Sequence, residues 1–451
     1  MQALKQIRLN AFDMNCVGHI QQGLWRHPRD RSAHYTDLEY WTRLAQLLER
    51  GLFDGLFLAD VLGVYDVHGG SPAAAIEHAV QVPVGDPLLL VPAMAAVTRD
   101  LGFGVTVNLS YEAPFAFARR MSTLDHLTRG RIGWNVVTGY LDSAARAMGQ
   151  DRQRAHDDRY DVADDFMNAV YALWEGSWAD DAVLRDRATG RFADPARVRA
   201  VRHDGPHHTM EAVHLCEPSP QRVPVLYQAG SSGRGRAFAG AHAECVFLNG
   251  QGHAAVRAHV DAIRDAAVAA GRGRDSVLAF VGATVIVAET AALADAKLAD
   301  YRRYASPEAA LVHASASMGI DLDRFGMDEP IGGESNAITS NLQAMAQQGM
   351  TKRKLLDRMV LGSRQPPIVG DPAQVADALI AWVEQADVDG FILSRTVTPE
   401  CFEDFVELVV PELQRRGAYK AAYAPGTLRQ KLFGAGPTLP ASHPAASFRF
   451  A

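Results

Sequence analysis

Polar residues in the segment QAGSSGRGR, from Gln228 to Arg236, could bind a phosphate group. An apolar run with the composition of a β-strand precedes the segment, and Ser231 and Ser232 stand where a helix would begin. Hydroxyl groups and unpaired backbone amides would then meet at the positive end of a helix dipole, which suits a phosphate monoester. A plain helix cap is the alternative, because serine is common at that position.

A second candidate pair is His156 and Tyr160, in the run HDDRY. Residues four apart lie on one face of a helix, so both side chains could reach the same anionic or aromatic ligand. The alternative is a capping histidine followed by a tyrosine of the core.

Three more polar residues end apolar, β-rich runs: Asp60 after FLA, and Thr106 and Asn108 in GVTVN. A carboxylate at such a position could accept a hydrogen bond from a ring N–H, whereas a solvent-facing turn is its ordinary role. The Thr106 hydroxyl and the Asn108 amide, taken alone, do not indicate any particular ligand. The position at a strand end is what makes these three residues candidates for ligand binding.

His19 lies in a long loop after the first predicted strand, where it could donate a hydrogen bond or handle a proton. A surface histidine would look the same in the sequence. Phe12, Phe57 and Phe247 stand near three strand ends and could wall an apolar pocket. Most such phenylalanines belong to the core, so the pocket is a hypothesis.

We expect no metal site. His203, His207, His208 and His214 lie in a segment rich in proline and glycine, without a spaced carboxylate or an H-E-x-x-H helix. The four cysteines are isolated and form no C-x-x-C pair, so they are expected to be small buried residues rather than disulfides or metal ligands.

The elements that must position these residues alternate between strand and helix along the whole chain. Eight strands are predicted: residues 7–12, FDGLFLAD, LGFGVTVN, RIGWNVVTG, VPVLYQAG, AECVFLNG, SVLAFVGATVIVA and DGFILS. Helical spacing covers about 37–50, 114–127, 156–174 and 399–416, and Thr36 with Glu39 has the spacing of a capping box. Asp86-Pro87 and Asp371-Pro372 are strong helix starts.

This order predicts an α/β fold, a (β/α)₈ TIM barrel over residues 1–420, followed by a tail at 421–451. Segments at about 175–220 and 290–368 interrupt the alternation, which indicates insertions after strands 4 and 7. An open doubly wound sheet is the alternative, but no G-x-G-x-x-G motif follows the first strand. In a barrel, all strand-end candidates would face one mouth.

Charge and hydropathy exclude several classes of partner. The net charge is −7, and basic residues are scattered among acids, so we expect neither nucleic acid nor a membrane surface as a partner. No apolar run approaches the roughly 20 residues of a spanning helix. The first residues lack the layout of a secretory signal, which predicts a cytoplasmic protein.

Several long motifs together resemble one family: the FMN-dependent two-component monooxygenases that act on nitrilotriacetate, EDTA, pristinamycin and dibenzothiophene sulfone, a branch of the bacterial luciferase-like superfamily. The similar stretches extend from the first loop to the tail: GLWRHP, FDGLFLAD, RRMSTLDHLTRGRIGWNVVTG, HDDRYDVADDFMNAVYALWEGSWADDAVLRD, TGRFADPARV, PVLYQAGSSGRGRAFA, AECVF, DGFILS and VVPELQRRG. The runs LDHLTRGRIGWNVVTG and QAGSSGRGR are the most specific of them.

The resemblance implies that reduced FMN and O₂ are the co-substrates, and that a separate NAD(P)H:flavin reductase supplies the flavin. It implies a homodimer or homotetramer. The matching cofactor positions are Asp60, Thr106, His156, Tyr160, Ser231 and Ser232. Asn108 departs from the family, which often has serine or threonine there, so its contact with flavin or substrate would differ.

By the same resemblance, one oxygen atom would be inserted into a small organic substrate, and His19 is our candidate for the group near the reacting centre. The aromatic residues favour a sulfur-containing or aromatic compound. The loop YDVHGGSPAAAIEHAVQVPVGD is expected to shape this choice. The alternatives are a deazaflavin-dependent oxidoreductase of the same superfamily, a non-catalytic flavin-binding barrel, and a metal-dependent barrel hydrolase.

Overall fold

Eight parallel strands close into a barrel in which each strand pairs with its neighbours in the sequence and the last pairs with the first. The computed structural model describes residues 5–230, 232–249, 252–332, 336–337, 349–359, 361 and 366–450. The barrel strands are β1 (Arg8–Met14), β2 (Gly55–Ala59), β3 (Gly102–Asn108), β4 (Ile132–Val137), β5 (Val225–Gln228), β6 (Cys245–Leu248), β7 (Leu278–Ala283) and β8 (Gly390–Ser394). The predicted (β/α)₈ barrel is confirmed.

Closure of the ring places Arg8 of β1 opposite Gly390 of β8, in parallel register. The strands are buried almost throughout, because helices cover their outer faces and side chains fill the interior. All carboxyl ends of the strands therefore point to one mouth of the barrel, as the sequence predicted.

Fifteen α-helices lie in the described ranges, and most of them follow barrel strands. They are α1 (Leu38–Arg50), α2 (Ala73–Glu77), α3 (Val91–Ala96), α4 (Pro114–Leu127), α5 (Asp142–Ala147), α6 (His156–Gly176), α7 (Gly233–His242), α8 (His253–Ala269), α9 (Ala291–Arg302), α10 (Pro307–Met318), α11 (Lys352–Met359), α12 (Pro372–Ala386), α13 (Glu400–Asp404), α14 (Val410–Arg415) and α15 (Leu428–Phe433). None of the helices in these ranges has the length and apolarity needed to cross a membrane.

Two predicted helix starts are confirmed. Asp371 forms a full capping box with Gln374 at the beginning of α12. Asp86 accepts a hydrogen bond from the Leu88 amide, although it caps a short 3₁₀ turn that precedes α3. In both cases proline at the first position fits the turn because its ring fixes φ.

The capping box predicted for Thr36 and Glu39 is wrong. Helix α1 begins one residue later, with Asp37 at the N-cap, and no side chain caps its amides. The Asp37 carboxylate instead accepts from Nδ1 of His34 at 2.9 Å, in the preceding turn. A local partner has therefore replaced the helix cap.

Two other elements are shorter than predicted. The seventh strand leaves the barrel at Thr284, and Val285–Val287 pairs instead with Ile368–Gly370 in a separate two-stranded parallel sheet. The helix predicted over 399–416 contains a wider π turn at Phe405–Val409 between α13 and α14. Pro411, just beyond this turn, has no N–H to donate, so a regular helix would lose a hydrogen bond there.

Small elements occupy both segments that interrupt the alternation. Two antiparallel hairpins lie between α6 and β5: Val183–Asp186 with Arg191–Ala193, and Val201–Asp204 with Thr209–Ala212. Between β7 and α12 come α9, α10, α11 and the two-stranded parallel sheet. The division of the chain into a barrel, two insertions and a tail stays a prediction.

The tail fills the amino-terminal end of the barrel. Leu428 and Leu432 of α15 join a core cluster with Val225, Cys245 and Leu278, the first residues of β5, β6 and β7. Between these leucines, Arg429 forms a buried ion pair with Glu244, with Nε 2.6 Å from Oε1. Side chains of the chain itself therefore fill this end of the barrel.

Candidate active site

A cavity of about 210 Å³ lies at the carboxyl ends of β2 to β5. The loops after these strands form its walls together with the first turns of α6 and α7. Its polar lining residues are Asp60, Asn108, Thr138, Tyr140, His156, Arg159, Tyr160, Gln228 and Ser232. This is the place where ligands bind in barrels of this class.

Five residues that the sequence singled out meet here although they come from distant segments: Asp60, Asn108, His156, Tyr160 and Ser232. Ser231 lies outside the described residues. The meeting follows from topology, because parallel neighbouring strands present their carboxyl ends side by side.

Tyr160, Gly230, Ser232 and Gly235 form a tight cradle at the start of α7. The Ser232 hydroxyl accepts from the Gly235 amide at 3.0 Å and caps the helix. A Cβ atom on Gly230 or Gly235 would lie 2.8 Å from the Tyr160 hydroxyl oxygen, closer than real Cβ contacts. Only glycine at these two positions leaves room for the tyrosine, so the Tyr160 hydroxyl lies close to the positive end of the α7 dipole.

The protonation of Tyr160 suits a donor at this point. Burial raises the pKa of its phenol, against the opposing charges of Arg159 and Arg234. Arg234 lies 5.5 Å from the centre of the Tyr160 ring and is paired with Asp161 and Asp164. The cradle therefore carries a hydroxyl donor, a helix dipole and a nearby, partly neutralised cation.

Asp60 stands on another wall of the cavity. Burial, and then the charge of Asp86, raise the pKa of the Asp60 carboxyl to about 7, although its hydrogen bond from Val61 opposes the shift. A carboxyl group with such a pKa can accept or donate near neutral pH.

Thr106 and Asn108 lie on the same face of β3, but only Asn108 lines the cavity. The Thr106 hydroxyl accepts from Nδ2 of Asn135, on β4, at 2.9 Å. The Oδ1 atom of Asn135 is buried and has no hydrogen-bond partner among the described residues. Oδ1 of Asn108 accepts a hydrogen bond from the Ser110 amide at 3.1 Å, and this bond stabilises the turn after the strand.

His19 lies in the loop after β1 and does not line the cavity. It is 3% exposed, its ring meets Phe12 edge to face at 4.6 Å, and its Nδ1 has no hydrogen-bond partner in the described part of the chain. Burial, then Arg395 and His313, lower the pKa of the imidazole well below its usual value. His19 is therefore held as a neutral imidazole, and its Nδ1 is buried without a partner among the described residues.

The three phenylalanines occupy different depths. Phe57 and Phe247 lie 4.3 Å apart and pack with Tyr227 in the barrel interior, and neither lines the cavity. Phe12 is half-buried between Phe57 and His19. Of the three, only Phe12 is in contact with a candidate polar residue of the mouth.

Sequence reasoning missed several residues of the mouth. Arg159 is 2% exposed and donates to the Gly139 carbonyl at 2.6 Å, and nothing in the sequence marks it. Gln228 is the last residue of β5, so the strand-end rule could have found it. The hydroxyl of Tyr65 bridges the hydroxyl of Tyr140 at 2.8 Å and Gln81 at 2.6 Å, and these residues lie in loops of irregular length.

The histidine-rich hairpin formed by Val201–Asp204 and Thr209–Ala212 is held to α6 by Asp165. Oδ1 of Asp165 lies 2.8 Å from Nε2 of His203, and its Oδ2 accepts from the amides of His207 and His208. Asp165 was not foreseen as the partner of these histidines. Its position on α6, 38 residues before His203, hid the contact.

One group in the described ranges could hold a metal by composition: His68, Asp321 and Asp323. The ammonium group of Lys352 lies 2.7 Å from Oδ1 of Asp323 and supplies positive charge there. The Gly69 amide donates to Asp321 at 3.1 Å. These contacts describe an ion-pair network that joins the loop after β2 to the segment after α10.

Comparisons with known proteins agree with this geometry. A family model described as luciferase-like monooxygenase matches residues 20–389. The chain is 47% identical to dimethyl-sulfide monooxygenase of Hyphomicrobium sulfonivorans, over 99% of this chain and 94% of that protein. It is 49% identical to long-chain alkane monooxygenase of Geobacillus thermodenitrificans, over 99% and 98%. A crystal structure of riboflavin lyase with modified FMN and riboflavin superposes with a TM-score of 0.94 at 39% identity, covering 99% and 100% of the two chains.

Proposed function

The chain belongs to the luciferase-like monooxygenase family, and we propose that it is a flavin-dependent monooxygenase that inserts one oxygen atom of O₂ into a small organic substrate. The observation that carries the proposal is the cradle of Tyr160, Ser232 and two glycines at the start of α7, inside the mouth of the barrel. Such a cradle suits a phosphate group, and it lies at the carboxyl ends of the strands, where ligands bind in barrels of this class.

The residues present fit reduced FMN. Its phosphate would lie at the α7 cradle, where the Tyr160 hydroxyl and backbone amides can donate. Its ring would extend toward β3 and β4, where Oδ1 of Asn135 offers an unused acceptor for a ring N–H. Asp60 offers a second polar contact, on the wall formed after β2.

Reduced FMN would supply the electrons for activation of O₂, with one oxygen atom going to the substrate and the other to water. The residues of this chain would bind and orient the flavin and the substrate, and they would exclude solvent from the site. His19 is the proposed catalytic residue: a buried neutral imidazole can donate one hydrogen bond and move one proton without carrying a charge. Phe12 covers one side of it and keeps water away.

We further propose that a separate NAD(P)H:flavin reductase supplies the reduced flavin. The support is that the dinucleotide-binding motif G-x-G-x-x-G does not follow the first strand, so the sequence gives no sign that this segment binds NAD(P)H. Mixing the protein with oxidised FMN and NADH should give no substrate-dependent oxygen uptake until a reductase is added.

For the substrate we propose a small hydrophobic compound, with thioethers, aromatic sulfur compounds and alkanes as the first classes to screen. The support is the loop after β2, whose apolar residues Val61, Val64, Val80 and Val82 pack with α10 beside the mouth. The named relatives act on dimethyl sulfide and on long-chain alkanes.

The decisive experiment is an oxygen-uptake screen with FMN kept reduced by an added reductase. We expect uptake that depends on both substrate and protein, together with a product that carries one oxygen atom from ¹⁸O₂. Stoichiometric FMN binding without such uptake would favour a non-catalytic flavin-binding barrel. Anaerobic turnover with a reduced deazaflavin would favour the deazaflavin-dependent alternative.

Replacement of His19 tests its role within the same assay. His19→Ala should lower kcat by roughly 100-fold, since a positioned donor or proton carrier contributes about that much. FMN binding should change little, because His19 does not line the cavity. Full turnover by the variant would remove His19 from the mechanism.

A further inference from the structure

Arg395 is a buried arginine at the mouth of the barrel that the proposed mechanism leaves unused. It follows β8 directly and is 3% exposed. Its Nη2 atom donates to the carbonyl of Cys16 at 3.1 Å and to that of Val17 at 2.7 Å. Its own amide donates to the Phe12 carbonyl at 3.3 Å.

The two carbonyl groups belong to the loop that carries His19. The other side of this loop is bound by the loop after β2, through the Gln81 amide to the Gly18 carbonyl and the Gly85 amide to the Asn15 carbonyl. Arg395 thus joins the His19 loop to the end of β8, and Gln21 joins the same loop to Thr284 at the end of β7.

We propose that Arg395 is a positioning residue for His19, because its guanidinium fixes two carbonyl groups of the loop that carries the imidazole. The inference rests on the proposed function of His19 and adds a residue to it. A guanidinium is suited to this task because its planar fork holds several acceptors in a fixed geometry, which an ammonium group cannot do.

The Arg395 side chain is held in place by a buried carboxylate. Its Nε lies 3.0 Å from Oδ1 of Asp13, which is 0% exposed. Burial raises the pKa of Asp13 to about 6, although the charge of Arg395 opposes the shift. Nη1 of Arg395 and Oδ2 of Asp13 have no hydrogen-bond partner among the described residues. Each member of the pair therefore keeps one buried polar atom that the pair itself does not use.

Arg395 also acts on His19 through its charge. The titratable groups that influence His19 come from other elements: Arg395 after β8 and His313 on α10, with Asp13 on β1 behind the guanidinium. Both Arg395 and His313 disfavour a second positive charge, in addition to burial, and so lower the pKa of His19. Arg395 thus bonds to the loop that carries the imidazole and adds to the effect of burial on its pKa.

Two substitutions separate these effects. Arg395→Lys keeps the charge and loses the fork, so we expect kcat to fall by about 10-fold to 100-fold with little change in KM. The His19 titration midpoint should stay where it is. Arg395→Met removes both the charge and the planar fork. In this variant we expect kcat to fall and the His19 titration midpoint to rise by about one pH unit or more.

The His19 midpoint is read by NMR of histidine-labelled protein, with His19→Gln to assign the signal. Turnover is read with the fastest substrate of the oxygen-uptake screen. If Arg395→Met does not fold, Arg395→Gln takes its place, since it also removes the charge and can still donate to one carbonyl.

Arg429→Lys is the matched control. Arg429 is equally buried and is also paired with a carboxylate, but it lies at the opposite end of the barrel. We expect Arg429→Lys to lower Tm and to leave both kcat per folded protein and the His19 midpoint unchanged.

Two results would overturn the inference: Arg395 variants that lose only stability, as the control does, or an unchanged His19 midpoint in the variant without charge at position 395. If the screen finds no substrate, the proposed function fails while the NMR arm still tests the link between Arg395 and His19. If turnover is found but Arg395→Lys retains full kcat, only the positioning role fails.

Discussion

The two ends of the barrel each contain a buried arginine, and they use it differently. Arg429 at the amino-terminal end bonds through every nitrogen of its guanidinium, to Glu244 and to the carbonyl groups of Gln221, Val223, Pro224 and Pro437. Arg395 at the mouth bonds through two nitrogens and leaves Nη1 without a partner among the described residues.

The same contrast extends to the neighbours of each arginine. Around Arg429, the Gln221 side chain donates to Asp125 and Ile132 and accepts from Arg429, so it is fully bonded. At the mouth, His19 Nδ1, Asn135 Oδ1 and both polar atoms of Gln22 are buried without a partner in the part of the chain that the structure describes. Buried polar atoms without partners destabilise a protein, so the group of them at the mouth suits an end that receives a ligand. Single atoms such as Arg272 Nε and Ser276 Oγ also lack a partner elsewhere among the described residues.

The largest test of this contrast is Arg429→Met. It leaves Glu244 as an uncompensated buried charge, so we expect the free energy of unfolding to fall by about 3–5 kcal/mol. Denaturant titration measures the loss, and kcat per folded protein should be unchanged. A variant of normal stability, or one with altered turnover, would contradict the inference that Arg429 stabilises the fold and has no role at the mouth.

A second test acts on the mouth alone. In Gly230→Ala the new Cβ would lie 2.3 Å from Nε2 of Gln228 and 2.8 Å from the Tyr160 hydroxyl, so the tyrosine must leave the cradle. We expect FMN binding to weaken by about 10-fold to 100-fold, as strain of about 1–3 kcal/mol would produce.

Gly436→Ala is the control for this change, since a Cβ there meets nothing within 4 Å. Isothermal calorimetry with FMN compares the two variants. Equal affinities would show that the cradle at the start of α7 does not hold the phosphate.

The smallest expected effect concerns Asp60. Its pKa in the folded protein is raised from 3.8 to about 7, so the folded state holds this proton to higher pH than the unfolded state does. Stability therefore falls as pH rises from about 4 to about 7, and the loss is complete above pH 7. Asp60→Asn avoids this loss and should be more stable than the parent by about 2 kcal/mol at pH 8.

At about pH 3 the Asp60→Asn variant and the parent should have nearly equal stability, because the carboxyl group is then almost fully protonated in both the folded and the unfolded state. Thermal unfolding across this pH range measures the difference. A constant difference would mean that the mouth does not carry this destabilising carboxyl group.

The barrel could be predicted from the sequence because its signals are repeated and local. Eight apolar runs separated by helix-length segments allow few arrangements, and α4 (Pro114–Leu127) lies where its proline start and helical spacing indicated. The errors came where one contact replaced another: the Asp37 carboxylate pairs with His34, three residues before it, instead of capping α1. The departure of the chain from β7 at Thr284 also depends on a distant partner, Ile368–Gly370.

The residues of the candidate site could be predicted where their position along the chain is itself a signal. Asp60, Asn108 and Gln228 obey a rule of position, the carboxyl end of a barrel strand, although Gln228 was overlooked. Arg159 obeys no such rule, because it lies within a helix. Arg395 does follow a barrel strand directly, but the sequence does not show that its side chain acts on a loop some 380 residues away. Their roles arise from burial and from carbonyl acceptors, which a single sequence does not display.

The closure of the barrel has a consequence for its synthesis. β1 needs β8 as a neighbour, and the floor of the barrel needs Leu428 and Leu432. At roughly 5–20 residues per second, a ribosome would take roughly 20–80 s to travel from the first strand to the last. During that time the nascent chain presents an open strand edge to its surroundings. A translation product that stops between residues 416 and 428 would possess the entire mouth and still lack the leucines of its floor.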